Sequence, residues 1–81
     1  MEFAKTGVRV NSVMPGPVDS PIVSEMEALM PGTKAALTSI VPMARMGLDT
    51  EIANAIVWLC SDQASYVTGT NFPIDGGTLA A

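Results

Sequence analysis

Histidine is absent from the chain, and with it the commonest general base and the commonest zinc ligand. No metal site is expected. Cysteine occurs once, at Cys60. It cannot close an internal disulfide, and a lone thiol fits a reducing cytoplasm. Cations are few: Lys5, Arg9, Lys34 and Arg45 stand against eight carboxylates, for a net charge of -4. They are scattered, so no basic stripe exists to hold a phosphate backbone, and no nucleic-acid partner is expected. No apolar run approaches the ~20 residues that a bilayer-crossing helix needs. Met1 to Lys5 lack the basic start and apolar stretch of a secretory signal. Neither a membrane partner nor export is therefore expected. Internal repeats and low-complexity tracts are missing as well.

What remains is an apolar chain with a thin polar coat: 48% of its 81 residues are hydrophobic and 15% are charged. That length allows one small domain, which buries only about 60–65% of its unfolded surface. Either the core is tightly packed, or apolar faces meet something outside these residues.

Val8 to Met14 are mostly apolar and rich in β-branched side chains, the pattern of a buried parallel strand. Pro15 carries no N–H, so this strand is predicted to end at Met14. Before it, Met1 to Lys5 read as the last turn of a helix stopped at Gly7. Ser20-Pro21 is a helix start, with a hydroxyl at the cap and proline at the first position. Ile22, Met26, Leu29 and Met30 then share one helical face, and Pro31-Gly32 ends it. Thr33 can cap a second helix through Ile40, and Pro42 to Leu48 read as loop. Asp49 is predicted to cap a long helix running to Ser61, with Ile52, Ala53, Ile56, Leu59 and Cys60 as its stripe. Ala55, Val57 and Trp58 widen that stripe nearly all round, which predicts burial on several sides. A second strand spans Thr70 to Ile74 and stops at Asp75-Gly76-Gly77.

Two strands joined by a ~55-residue helical connection are parallel or distant, since hairpins need short loops. That is an α/β fold. Two strands alone make a poor sheet, so strands are missing from it.

Ligands of open α/β sheets bind beyond the carboxyl ends of parallel strands. The stretch Pro15-Gly16-Pro17-Val18-Asp19-Ser20 leaves such an end. Gly16 lacks side-chain bulk and would let a flat ligand approach backbone. Val18 offers an N–H and a C=O, and Ser20 a hydroxyl at a helix N-terminus. Taken locally, a plain turn with Ser20 as an ordinary cap explains the same residues more simply. Tyr66 has Thr70 four residues on, so it forms no Tyr-x-x-x-Lys pair and reads as a packing residue that hydrogen-bonds near Asp62. Cys60 reads as core rather than nucleophile. Met14, Met26, Met30, Met43 and Met46 read as core, or as the adaptable wall of an apolar pocket.

In order along the chain, several stretches resemble the short-chain dehydrogenases/reductases. Gly7-Val8-Arg9-Val10-Asn11-Ser12-Val13-Met14-Pro15-Gly16 is similar to that family's sixth strand and Pro-Gly motif. Ala44-Arg45-Met46-Gly47 with Glu51-Ile52-Ala53 is similar to the start of its last large helix. Trp58 to Gly69, and Ile74-Asp75-Gly76-Gly77, resemble that helix's end and the seventh strand. The match covers nearly all of the chain.

The resemblance implies the carboxyl-terminal portion of a Rossmann-type doubly wound parallel sheet: two strands, substrate-lid helices and one long helix. Residues 1–81 form one partial domain, incomplete by itself, with 21–43 as a mobile lid. It implies a cytoplasmic oxidoreductase using NAD or NADP on an alcohol or ketone carbon. Pro15, Gly16, Val18 and Ser20 would hold the nicotinamide end, and the last helix and strand would form a homo-oligomer interface. The family's phosphate loop, catalytic serine, Tyr-x-x-x-Lys pair and relay asparagine have no counterpart in this sequence. No catalytic residue is therefore assigned, and the chain alone is expected to be inactive. A non-catalytic interaction module, associating through helix 49–61 and strand 70–75, is the other reading.

Overall fold

A computed structural model of the chain describes residues 2–80. Seven regular elements run in the order β1 (Ser12–Pro15), β2 (Val18–Asp19), α1 (Pro21–Leu29), α2 (Thr33–Ser39), β3 (Gly47–Leu48), α3 (Asp49–Leu59) and β4 (Asn71–Ile74). Short 3-10 turns cover Glu2–Thr6, Asp62–Ala64 and Thr78–Ala80. The first of these stands where a helix end was expected and stops at Gly7, whose φ is +85°. Met1, part of that expectation, lies outside the described residues.

β1 and β4 are parallel neighbours, with Ser12 opposite Asn71 and Pro15 opposite Ile74. The strand expected over Val8 to Met14 therefore begins later and ends one residue later. Successive N–H groups along a strand point to opposite edges. The Ser12 and Gly16 N–H groups donate to Thr70 O and Ile74 O across the pair. Pro15 thus has its missing N–H on the edge away from β4, and so does Pro73, opposite Met14, on the other side. Both prolines are tolerated for that reason.

Before Ser12 one backbone bond, from the Gly69 N–H to Val10 O at 2.8 Å, continues the pairing, and side chains do the rest. The Arg9 guanidinium donates to Leu59 O at 2.8 Å and to Ser61 O and Val67 O at 3.1 Å each. It thereby satisfies carbonyls at the end of α3, where the helix dipole favours a cation. Asn11 donates from Nδ2 to Val67 O and accepts at Oδ1 from the Thr70 N–H.

The structure adds two strands to the expected pair. Val18–Asp19 pairs in parallel with Gly47–Leu48, inside the stretch read as loop. The two sheets are separate, two strands each. Helix starts also differ from expectation. Gly32, not Thr33, caps α2, which ends at Ser39. The Thr33 hydroxyl donates back to Met30 O. The cap's work falls to Glu27 of α1, whose carboxylate accepts from the Gly32 and Lys34 N–H groups. Asp49 lies inside the first turn of α3, and its neighbour Leu48 is the cap. α3 ends at Leu59, short of Ser61.

Only Val41, Leu59 and Ala64 are buried apolar side chains among the described residues. α3 is not enclosed: Ile56, Val57 and Trp58 are exposed, as is Cys60. Met14, Met26, Met30 and Met43 are exposed too, so they form no core within this chain. Tyr66 is fully exposed, which overturns the packing expected of it. The Cα radius of gyration is 15.7 Å, against about 12 Å for a compact chain of this length. The elements are those of a layered α/β fold, but its layers lack their other halves. No helix among the described residues is long and apolar enough to cross a membrane.

Candidate functional site

The four residues expected to hold a cofactor lie on one turn, from the end of β1 to the start of α1. Pro15 and Gly16 are fixed by the end of β4, Val18 by β3 and Ser20 by α1. Pro15 closes the ladder opposite Ile74. Gly16 donates its N–H to Ile74 O at 3.0 Å. A Cβ at Gly16 would lie 2.8 Å from both Cα and Cβ of Asp75. The bulk that glycine omits therefore makes room for the end of β4, a reason the sequence alone did not disclose.

Val18 sits in the short parallel pair with β3. Gly47 donates to Pro17 O at 2.9 Å, so Pro17 O and the Asp19 N–H face β3. By the alternation of a strand, the N–H and C=O of Val18 point to the opposite edge. Among the described residues, β2 has no second strand there. That edge presents one donor and one acceptor side by side, which is the complement of a primary carboxamide.

Ser20 is the N-cap of α1, in extended conformation, and its Oγ accepts from the Val23 N–H at 3.4 Å. Its O–H keeps the capacity to donate. The plain-cap function and a ligand contact are thus compatible in one hydroxyl. Asp19 forms a 3.6 Å ion pair with Lys34 of α2, which ties β2 to the helical segment. With both side chains about half exposed, this pair adds little stability.

A second bracing set lies behind the turn. Arg45 makes a two-pronged pair with Glu51, at 2.8 Å and 2.9 Å. Glu51 Oε1 also accepts from the Leu48 N–H at 2.9 Å, the reach-back bond of a helix cap. Arg45 and this cap hold the Glu51 carboxyl down at a pKa of about 2. Its position in the first turn of α3 suits a negative charge. The sequence showed Arg45 and Glu51 only as pieces of a pattern; their six-residue spacing carries no helical or strand period to announce a pair.

A cleft of about 300 Å³ lies between the end of β4 and the start of α3, lined in part by Pro17, Met43, Arg45, Ile52, Ile74 and Asp75. Pro15, Gly16, Val18 and Ser20 do not line it. The Asp75 carboxylate accepts from the Gly77 and Leu79 N–H groups and caps the last turn. A second cleft, about 450 Å³, opens between Val10, Val13, Ile56, Leu59 and Cys60. Among the described residues, no three potential metal ligands cluster.

A family model described as enoyl-(acyl carrier protein) reductase matches residues 1–78. The 3β-hydroxysteroid dehydrogenase 1 of Eggerthella lenta is 46% identical over 77 residues, which is 95% of this chain and 29% of that protein. The 2,5-dichloro-2,5-cyclohexadiene-1,4-diol dehydrogenase of Sphingobium indicum is 42% identical over 77 residues, again 95% of this chain and 30% of the other. The crystal structure of a putative 2-deoxy-D-gluconate 3-dehydrogenase from Agrobacterium tumefaciens, with bound NADP, superposes with a TM-score of 0.86 at 34% identity. That match covers 99% of this chain and 32% of the crystallised one. The chain therefore spans about 30% of the length of the relatives it matches.

Proposed function

The chain belongs to the short-chain dehydrogenases/reductases, and from that membership we propose that it serves as the carboxyl-terminal part of an NAD(P)-dependent oxidoreductase acting on an alcohol or ketone carbon. The observation that carries this reading is the outward edge of Val18. Its N–H and C=O match the oxygen and the amino group of a nicotinamide carboxamide. When bound, the cofactor supplies hydride transfer at its ring. This chain's residues supply the floor on which that ring is oriented.

Pro15 and Gly16 shape the turn, with Gly16 seated against Asp75. Val18 holds the carboxamide, and Ser20 donates its hydroxyl proton at the N-terminus of α1. Residues 21–43 act as the substrate lid. Ile22, Met26 and Leu29 leave an apolar face on α1 uncovered, continued by Met30 at its C-cap, which suits an apolar substrate. The uncovered side chains of α3, Val57 and Trp58 among them, supply a homo-oligomer interface. The proton chemistry belongs to residues outside these 81, since Tyr66 has no lysine four positions on.

Calorimetry and sedimentation on the isolated chain test this. The chain should show no NADH binding and should self-associate through its uncovered faces. A monomeric species that melts cooperatively and binds NADH would overturn the reading. A cooperative monomer that binds no nucleotide would favour the interaction-module alternative.

A further inference from the structure

We infer that Arg45 and Glu51 are positioning residues for the cofactor: their ion pair sets the height of the Val18 edge through β3. The inference rests on the reading of Val18 given above. Its steps are all backbone or side-chain bonds within this chain.

Glu51 is fixed to α3 by the helix itself. Its carboxylate takes both prongs of Arg45 and the Leu48 N–H. Arg45 Nη1 also donates to Met46 O at 3.2 Å. The residues on either side of Gly47 are thereby drawn against the first turn of α3. Gly47 in turn donates to Pro17 O, and Gly47 and Val18 stand opposite each other in the β2–β3 register. Pro17 and Val18 share one peptide plane, so a shift of Gly47 carries the Val18 N–H with it. Few other bonds hold this position. β2 and β3 are two residues each, and the turn before Arg45 places Ala44 at φ +59°, a conformation that needs outside support. The Ala44 and Met43 N–H groups donate to Val41 O at 2.8 Å and Gly76 O at 3.0 Å, and the Arg45–Glu51 pair adds to them from the other side of the turn; it makes no hydrogen bond to the expected cofactor residues.

Arginine suits this task because its planar fork matches a carboxylate in one geometry. A lysine would keep the charge and lose the orientation. The effect of the pair on cofactor binding therefore depends on shape and not on net charge.

The test uses the full-length enzyme, with NADH and NADPH as probes. In Glu51→Ala and in the milder Glu51→Gln, hydrogen exchange at the Gly47 amide should rise. Cofactor Kd should rise about tenfold, the worth of one displaced hydrogen bond. The kcat at saturating cofactor should stay within about twofold, because the loss is in binding and not in the chemical step. Arg45→Lys should weaken cofactor binding despite its retained charge. In the unmodified enzyme, cofactor should protect the amides of Val18 and Ser20 from exchange. If they are protected and both Glu51 variants bind cofactor normally, the positioning role is wrong and the Val18 reading survives. If the cofactor binds and leaves those amides unprotected, the Val18 reading fails and this inference falls with it.

Discussion

Gly16 and Asp75 meet so closely that a single added methyl group would overlap backbone: the Cβ it would carry lies 2.8 Å from Asp75 Cα. The end of β4 thus presses the Pro-Gly turn into place. Gly16→Ala cannot be relieved by a side-chain rotation, because the obstacle is main chain. In the complete enzyme it should cost about 1–3 kcal/mol, the usual range for overpacking. Urea melts should show the loss, accompanied by weaker cofactor binding. Unchanged stability would mean that the two strands do not close on each other as described.

Arg9 joins three carbonyls from two segments, Leu59, Ser61 and Val67. Arg9→Met would leave them without their donor while keeping much of the side chain's apolar length. Denaturation should report a loss of about 2 kcal/mol, in the range for bonds to a charged donor. Arg9→Lys should recover only part of it, since one ammonium cannot span all three acceptors.

The Glu51 carboxyl titrates at about 2 in the folded chain, below its ordinary 4.5, first because of Arg45 and then because of the Leu48 N–H. A depressed carboxyl contributes stability above its unfolded pKa and loses it as pH falls through the folded one. The stability gap between the natural chain and Glu51→Gln should therefore be constant from pH 7 to about 5 and close between about 4.5 and 2. Both partners are well exposed, so added salt should narrow the gap. Parallel pH melts of the two proteins check this. A gap that persisted at the lowest pH would show that the carboxyl is not the source.

Cys60 is exposed and lines the cleft beside Val10, Val13 and Ile56. In the complete enzyme proposed above, that cleft should be filled. The thiol should react readily with a disulfide reagent in the isolated chain and slowly in the full-length protein. Equal rates would argue that the cleft stays open.

The parallel pair of strands, the Ser-capped α1 and the long α3 were legible, because each depends on local signals: β-branched runs, a Ser-Pro start, an apolar stripe. Burial was not legible. An apolar stripe says that a face wants cover, not that this chain provides it, and Ile56, Val57 and Trp58 stand open. The β2–β3 pair was missed because two-residue strands have no period to detect. Pro15 misled the strand's end, since the edge its nitrogen faces depends on a partner far along the chain. At the turn, the positions of Val18 and Ser20 were readable, whereas what braces them was not. Arg45, Glu51 and Asp75 act through contacts that only the fold brings together.

The most direct test of the central claim, that the Val18 edge holds the nicotinamide, is hydrogen exchange with and without NAD(P)H on a graft. These 81 residues would replace the matching segment of the Eggerthella lenta dehydrogenase, which shares 46% of aligned positions with them. The graft should bind the cofactor and show protection at the amides of Val18 and Ser20. A folded graft that binds cofactor with those amides unprotected would contradict the account.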